Sequence, residues 1–423
     1  MASVEAMWEE WVVRAFARVD NNFLSYLPKV CLAKPSAEED PLADDPRAPA
    51  KDGEPARNRM LLFSANDYLN LSTHPAVRKA SAKAALAFGM GPRSSAMASG
   101  QTEYHRRLEN VLAEMHKKEA CVVTPTGFAA NTAFLAALGA VATHNAASRR
   151  PAAHEKIAVF SDALNHASII DGLRMMERHN QAVVSVYRHS DMQHLDELLS
   201  NCPVQRKVVI TDRGLRADAR LVQLRKKHRF LFVIDEAHTA FVCGRNGGGI
   251  GEVYGIEDQI DIIVGTLSKA GGCLGGFVAC SQKWSNLVRT TGRPYIFTTA
   301  SPYPSSRAPT VLITASIPSA ISPAVTVARK EAWRRQALWN RVQEFAALTK
   351  HPATSPILSL VHMLERGFHI IAVRPPAVAP DACRLRVTLT SGHSSEDVRR
   401  LVAALSECIP GLDRPADQIV ARL

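Results

Sequence analysis

"DIIVGTLSKAGGCLGG", residues 261–276, is the stretch whose reading decides the fold. Its first half is a short, β-branched, apolar run with no polar face. Such a run fits a strand buried on both sides, as in a parallel sheet covered by helices. The second half is glycines, hydroxyls and one lysine, Lys269, placed just beyond the run. That spacing sets Lys269 near the carboxyl end of a strand, where open α/β sheets bind their ligands.

Working outward, similar runs recur as "IAVF" (157–160), "VVSVY" (183–187), "KVVIT" (207–211), "FLFVI" (230–234), "IDIIVG" (260–265) and "GGFVAC" (275–280). All are separated by more than a hairpin's length, and helical patterns at 75–88, 102–116 and 127–139 precede them. The expected fold is α/β, a mostly parallel central sheet covered by helices. Residues 1–59 read as a helical arm plus a Pro- and acid-rich linker at 34–58, and 60–323 as the large domain. A Pro-rich stretch at 299–323 leads into a long helix pattern over 325–348, and 324–423 is expected to close as a small α+β domain. A last helix is expected over 395–408.

Composition narrows the function classes. The 423 residues carry 51 Lys plus Arg against 40 Asp plus Glu, a formal charge of +11 that leaves room for an anionic ligand. The basic residues are scattered, and with aromatics at only 6% there is no interleaved basic and aromatic surface for nucleic acid. The eight cysteines form no CxxC pair and none has a histidine at zinc-ligand spacing, so no metal is expected and the thiols are expected free. No apolar span reaches membrane length; "TAFLAALGAVATH" (132–144) is too short and reads as a core-packed helix.

One motif invites a different reading. "FVIDEAHTAF" (232–241) contains Asp-Glu-Ala-His, which in a helicase holds Mg²⁺ on a nucleotide. That role needs a phosphate loop ending in Gly-Lys-Ser/Thr, and no Gly-Lys dipeptide occurs in the chain. The helicase reading fails. Taken with Lys269 the motif acquires another use. A partly desolvated lysine can lose its proton and form a Schiff base. Thr266 and Ser268 offer hydroxyls to a phosphate, and the flanking glycines admit a planar ligand. Asp235 can keep a ring nitrogen protonated, and His238 can reach the same ligand. Pyridoxal phosphate requires this set.

Further segments carry a family resemblance: "FSANDYLNLSTHP" (63–75), "GMGPRSSAMASGQTEYHRRLE" (89–109), "TPTGFAANTAFLAAL" (124–138) and "GTLSKAGG" (265–272). Over roughly residues 60–408 the chain resembles the α-oxoamine synthases. These are fold-type I pyridoxal-phosphate enzymes that condense an amino acid with an acyl thioester and release carbon dioxide. "AVRPPAVAP" (372–380) and "RLRVTLTSGH" (384–393) look most like the branch that joins L-alanine to a pimeloyl thioester, borne by coenzyme A or a carrier protein. "GMGPRSSA" and "VCGRNGGG" look like its plant-type form.

The resemblance implies roles for individual residues. Lys269 is the implied Schiff-base lysine and mover of the α-proton, with Asp235 on the pyridine nitrogen, His166 stacked on the ring and His238 on the cofactor oxygen or reacting species. Gly127, Phe128 and Thr266 are implied at the phosphate, with Thr298 or Thr299 completing that site from a neighbouring subunit of a homodimer. Asn66 and Arg386 are implied at the substrate, Arg386 holding its carboxylate.

The chain also departs from the family. "DRGLRADARL" (212–221) is shorter than the family's segment there, which brings a serine beside the cofactor, and no residue here is assigned that role. A second shortening falls between 361 and 364, a Ser- and Pro-rich stretch is added at 301–323, and Ala377 replaces a usual threonine. These departures leave open a glycine-using relative or a member that has lost turnover. The last residues, Ala421-Arg422-Leu423, resemble a peroxisomal address, so the expected location is peroxisome or cytosol.

Overall fold

The computed structural model describes residues 61–88, 91–145, 150–212, 219–301, 323–350, 357–360, 368–373 and 384–408. The arm and linker at 1–59, most of the Pro-rich stretch, the shortened segments at 213–218 and 361–367, Ala377 and the terminal tripeptide lie outside them.

The chain enters through β1 (Leu61–Leu62), α1 (Pro75–Phe88) and α2 (Glu103–Met115). The sheet region opens with β2 (Ala120–Thr124) and α3 (Gly127–Asn145). It continues through β3 (Ile157–Asp162), α4 (Ala167–Arg178), β4 (Ala182–Tyr187), α5 (Met192–Ser200) and β5 (Lys207–Thr211). Then come α6 (Ala219–His228), β6 (Leu231–Asp235), α7 (Ile250–Tyr254), β7 (Ile262–Thr266) and β8 (Gly276–Cys280). The remainder holds α8 (Gln282–Thr291), α9 (Arg293–Phe297), α10 (Pro323–Lys330), α11 (Trp333–Thr349), β9 (Ile357–Leu360), β10 (Phe368–His369), β11 (Ile371–Val373), β12 (Arg384–Thr388) and α12 (Ser395–Cys408).

Strands β2 to β8 form one seven-stranded sheet in the order β2-β8-β7-β6-β5-β3-β4. The pairs from β7 through β6, β5, β3 and β4 are parallel, and only β8 runs against its neighbours β2 and β7. The mostly parallel α/β fold expected from the sequence is therefore present. Two differences stand out. "ACVVT" at β2 adds a strand absent from the sequence reading, and β4, though apolar, is not buried on both faces. As an edge strand it leaves Val183 48% and Val186 58% exposed.

The period of two along the strands sorts side chains to two cores. Val159, Val233, Val264 and Val278 pack on one face with Phe134 and Leu135 of α3 and Ile169 of α4. Phe160, Ile234, Ile263 and Phe277 lie on the other face, in the cluster that holds Tyr68, Leu108 and Leu112. "TAFLAALGAVATH" is core-packed in α3, as expected.

The long helix expected over 325–348 is two helices, broken at Glu331 and Ala332. The break is satisfied by Arg335, whose guanidinium donates to the freed carbonyl of Ala328 and, at 2.6 Å, to that of Arg245. Strands β11, β12 and β9 make a small antiparallel sheet, and α12 covers the stretch expected to be the last helix.

Because β3, β5, β6 and β7 are parallel, their carboxyl ends meet on one edge of the sheet. Asp162, Thr211, Asp235 and Thr266 are the last residues of those strands. The site is built at that edge.

Candidate active site

A cavity of about 260 Å³ opens at the sheet edge, lined by Asp235, Ala237 and His238 after β6 and by Thr266, Ser268 and Lys269 after β7. Thr126, Gly127, Phe128 and Asn131 at the start of α3 close a second side, and His166, Ser168 and Asp212 a third. Lys269, Asp235, His238, His166, Thr266, Gly127 and Phe128 are thus brought together from segments far apart in the chain.

Each end of the cavity has its own chemistry. The amino end of α3, the positive end of its dipole, lines the space. Thr266 and Ser268 stand beside it, their hydroxyls 2.7 Å apart. Gly127 is required there: a Cβ would come within 2.9 Å of the Thr266 Cβ. At another end Asp235 is 6% exposed and accepts from Asn131 Nδ2 at 2.7 Å and Ala237 N at 2.9 Å. Asn131 Nδ2 also donates to Ser168 Oγ at 3.0 Å, so the carboxylate is fixed by a buried amide that the sequence reading had not singled out.

Lys269 Nζ lies 2.9 Å from His238 Nε2, and His238 Nδ1 lies 2.7 Å from the Tyr68 hydroxyl. Burial, opposed by Asp235 and aided by the Arg386 charge, pushes the Lys269 amine down to about 8. Burial first, then the charges of Lys269 and Arg386, holds His238 well below the ordinary imidazole range. The ring is therefore neutral near physiological pH, and the amine gives up its proton far more readily than an ordinary lysine. The glycine turn after Lys269 is tight: Gly272 sits at φ +62°, and a Cβ there would lie 2.5 Å from Ser72 N.

The other expected residues fall in three places. His166 is the N-cap of α4, accepting from Ser168 N at 3.2 Å, and it also lines the cavity, so capping and ligand-facing readings coexist. Arg386 on β12 donates from Nη2 to Asn66 Oδ1 at 2.7 Å, and its buried Nε has no partner. Both lie outside the residues lining the cavity, although the Arg386 charge acts on Lys269 and His238. Thr298 and Thr299 do not reach this chain's cavity. The Thr298 hydroxyl donates to the Pro294 carbonyl, and Thr299 bridges to Ser95. Among the described residues no cluster of His, Cys, Asp and Glu could hold a metal ion.

Glu236 follows Asp235 in the chain. It is wholly buried, accepting from Ile250 N at 2.9 Å and from the Thr239 hydroxyl, so it clamps the start of α7 to the end of β6. Burial pushes its carboxyl up to about 7.

The family profile of the class I and II aminotransferases matches residues 58–405. An 8-amino-7-oxononanoate synthase of Arabidopsis thaliana is 50% identical over 394 residues, 89% of this chain and 80% of that one. The chain belongs to the α-oxoamine synthase branch of this family. An 8-amino-7-oxononanoate synthase of Anaeromyxobacter is 33% identical over 82% of this α-oxoamine synthase chain and 86% of its own. A solved Sphingomonas wittichii serine palmitoyltransferase superposes with a TM-score of 0.68 at 26% identity, over 82% of this chain and 88% of that one. A Francisella tularensis 8-amino-7-oxononanoate synthase structure shares the fold, with a TM-score of 0.60 at 21% identity, over 82% of this chain and 97% of that one.

The cavity of this α-oxoamine synthase family member fits pyridoxal phosphate. An anion end at α3, an acid at Asp235 and an amine at Lys269 match the cofactor's phosphate, ring nitrogen and aldehyde.

Proposed function

We propose that this chain is a pyridoxal-phosphate-dependent acyltransferase that condenses L-alanine with a pimeloyl thioester, releasing carbon dioxide and the free thiol. The observation that carries this reading is the meeting of Lys269, Asp235 and the Thr266–Ser268 hydroxyls in one cavity. Relatives that bear the name 8-amino-7-oxononanoate synthase support this reading.

Gly127, Phe128 and Thr266 would hold the phosphate, Asp235 the ring nitrogen, His166 the ring face and Lys269 the aldehyde carbon. Bound there, the cofactor supplies the electron sink that a decarboxylative condensation needs. Lys269 Nζ, available as an amine, takes the proton from the amino acid's α-carbon and later returns one to the product. His238 holds that nitrogen in place at 2.9 Å. Arg386 has a buried, unsatisfied Nε beside the Nη2 that Asn66 engages, and a carboxylate accepting both guanidinium edges would satisfy it. Fixing the carboxylate orients the bond to be broken, which is worth more than binding strength alone.

A homodimer belongs to this reading. Phe297 is 69% exposed, and the adjoining Thr298 and Thr299 lie away from this chain's own cavity, where a second copy's phosphate site can take them up.

The test is a substrate panel with cofactor-loaded protein: alanine and glycine against pimeloyl, acetyl, succinyl and palmitoyl thioesters. Thiol release fastest with alanine and the pimeloyl thioester supports the proposal. Preference for glycine moves the chain to another branch. No turnover in protein that binds the cofactor identifies a member that has lost catalysis.

A further inference from the structure

The Lys269 amine is one end of a polar chain that runs out of the cavity. Nζ is 2.9 Å from His238 Nε2, and His238 Nδ1 is 2.7 Å from the Tyr68 hydroxyl. The Arg386 guanidinium, whose Nη2 is held by Asn66, brings its charge near that same hydroxyl. Tyr68 is wholly buried, and burial pushes its phenol far above its usual range, so the oxygen keeps its proton at any working pH.

The direction of the chain follows from what each group can donate. The Tyr68 hydroxyl is buried, and a buried O–H left without an acceptor is costly. Among the described residues His238 Nδ1, at 2.7 Å, is the acceptor at hand for that single proton, so the O–H bonds to it. A neutral imidazole that accepts at Nδ1 carries its proton on Nε2. That N–H faces Lys269 Nζ, and a nitrogen that accepts an N–H must offer a lone pair. Ammonium has none.

We propose that Tyr68 is a positioning residue: its hydroxyl donates to His238 Nδ1, fixes the Nε2–H tautomer and so holds Lys269 as the neutral, nucleophilic amine. The other charged groups facing the pair are Asp235 and Asp212, which favour ammonium, and Arg386, which opposes it, with His166 facing the His238 ring. Tyr68→Phe leaves all of them in place and removes only the hydroxyl. The inference deepens the proposed function, on which its catalytic consequence rests.

The test uses the full chain without added cofactor. The ring nitrogens of His238 are read by ¹⁵N NMR in histidine-labelled protein and assigned by their loss in His238→Gln. Acylation of Lys269 by an amine-reactive ester is followed against pH by peptide mass spectrometry. The wild type is expected to show the Nε2–H tautomer. In Tyr68→Phe the ring is expected to populate Nδ1–H, and the midpoint of Lys269 acylation to rise by about one pH unit. An Nδ1–H ring in the wild type overturns the inference by itself, even if the variant fails to fold. So does an unchanged midpoint in folded Tyr68→Phe. Visible absorbance on adding pyridoxal phosphate is scored separately. Its absence removes the proposed function and leaves the tautomer result standing.

Discussion

Asn131 and Asp235 are joined by a 2.7 Å hydrogen bond inside the protein, tying the first turns of α3 to the end of β6. The amide fixes which way the carboxylate faces, and its second proton goes to Ser168 Oγ on α4. Three elements that line the cavity are thus locked by one side chain. The Asn131 carbonyl oxygen is buried without a partner, so the amide is oriented at some cost.

Asp235→Asn tests the acid end. An amide cannot accept from both Asn131 Nδ2 and Ala237 N with the same two atoms, so one buried donor loses its partner. Urea denaturation should show a loss of about 1–3 kcal/mol. Turnover should fall on the order of 10²-fold or more, because the ring nitrogen loses its anionic partner. Unchanged turnover would remove Asp235 from the site.

Gly127→Ala tests the phosphate end. The new methyl would lie 2.9 Å from the Thr266 Cβ, and that contact must open. Overpacking of this kind costs roughly 1–3 kcal/mol, so cofactor affinity measured by fluorescence titration should weaken about 10-fold or more. The fold, checked by circular dichroism, should persist.

Much of this was legible beforehand. "KVVIT" and the helix at 395–408 sit where their patterns place them, because a continuous apolar run and a 3.6-residue period are local signals. The reversed direction of β8 was not, since a buried strand's pattern reads the same both ways. The edge position of β4 was hidden too, because Val183 and Val186 are as apolar as core residues. At the site, the strand-end residues Asp235, Thr266 and Lys269 follow from sequence order. Tyr68 and Asn131 do not, because their partners lie 170 and 104 residues away. Asn131 did leave one trace: it is a lone amide in the apolar "GFAANTAFLAAL" run.

Glu236 should leave a signature in stability against pH. Burial raises its carboxyl from 4.5 to about 7, so the folded state binds a proton that the unfolded chain releases. Its contribution is full below pH 4.5 and is lost as pH rises towards about 7, by an amount of order 3 kcal/mol. Denaturation midpoints of the wild type and Glu236→Gln, compared at pH 5 and pH 8, should differ in slope, the variant being flatter. Parallel slopes would mean that Glu236 is ionised in the folded protein throughout.

Phe297→Asp addresses assembly. Placing a charge on a ring that is 69% exposed in one chain should split a homodimer and leave a monomer with weakened cofactor binding. Sedimentation velocity reads the first effect and absorbance the second. A wild-type monomer with full cofactor binding would exclude a shared site.

The central claim is that Lys269 captures pyridoxal phosphate in the cavity at the sheet edge. Its most direct measurement is an absorbance titration of the full chain with the cofactor, repeated on Lys269→Ala. The account predicts a saturable visible band in the wild type and only the spectrum of free cofactor in the variant, with both proteins equally folded. A folded wild type that gives no such band, or a Lys269→Ala variant that keeps it, would contradict the account.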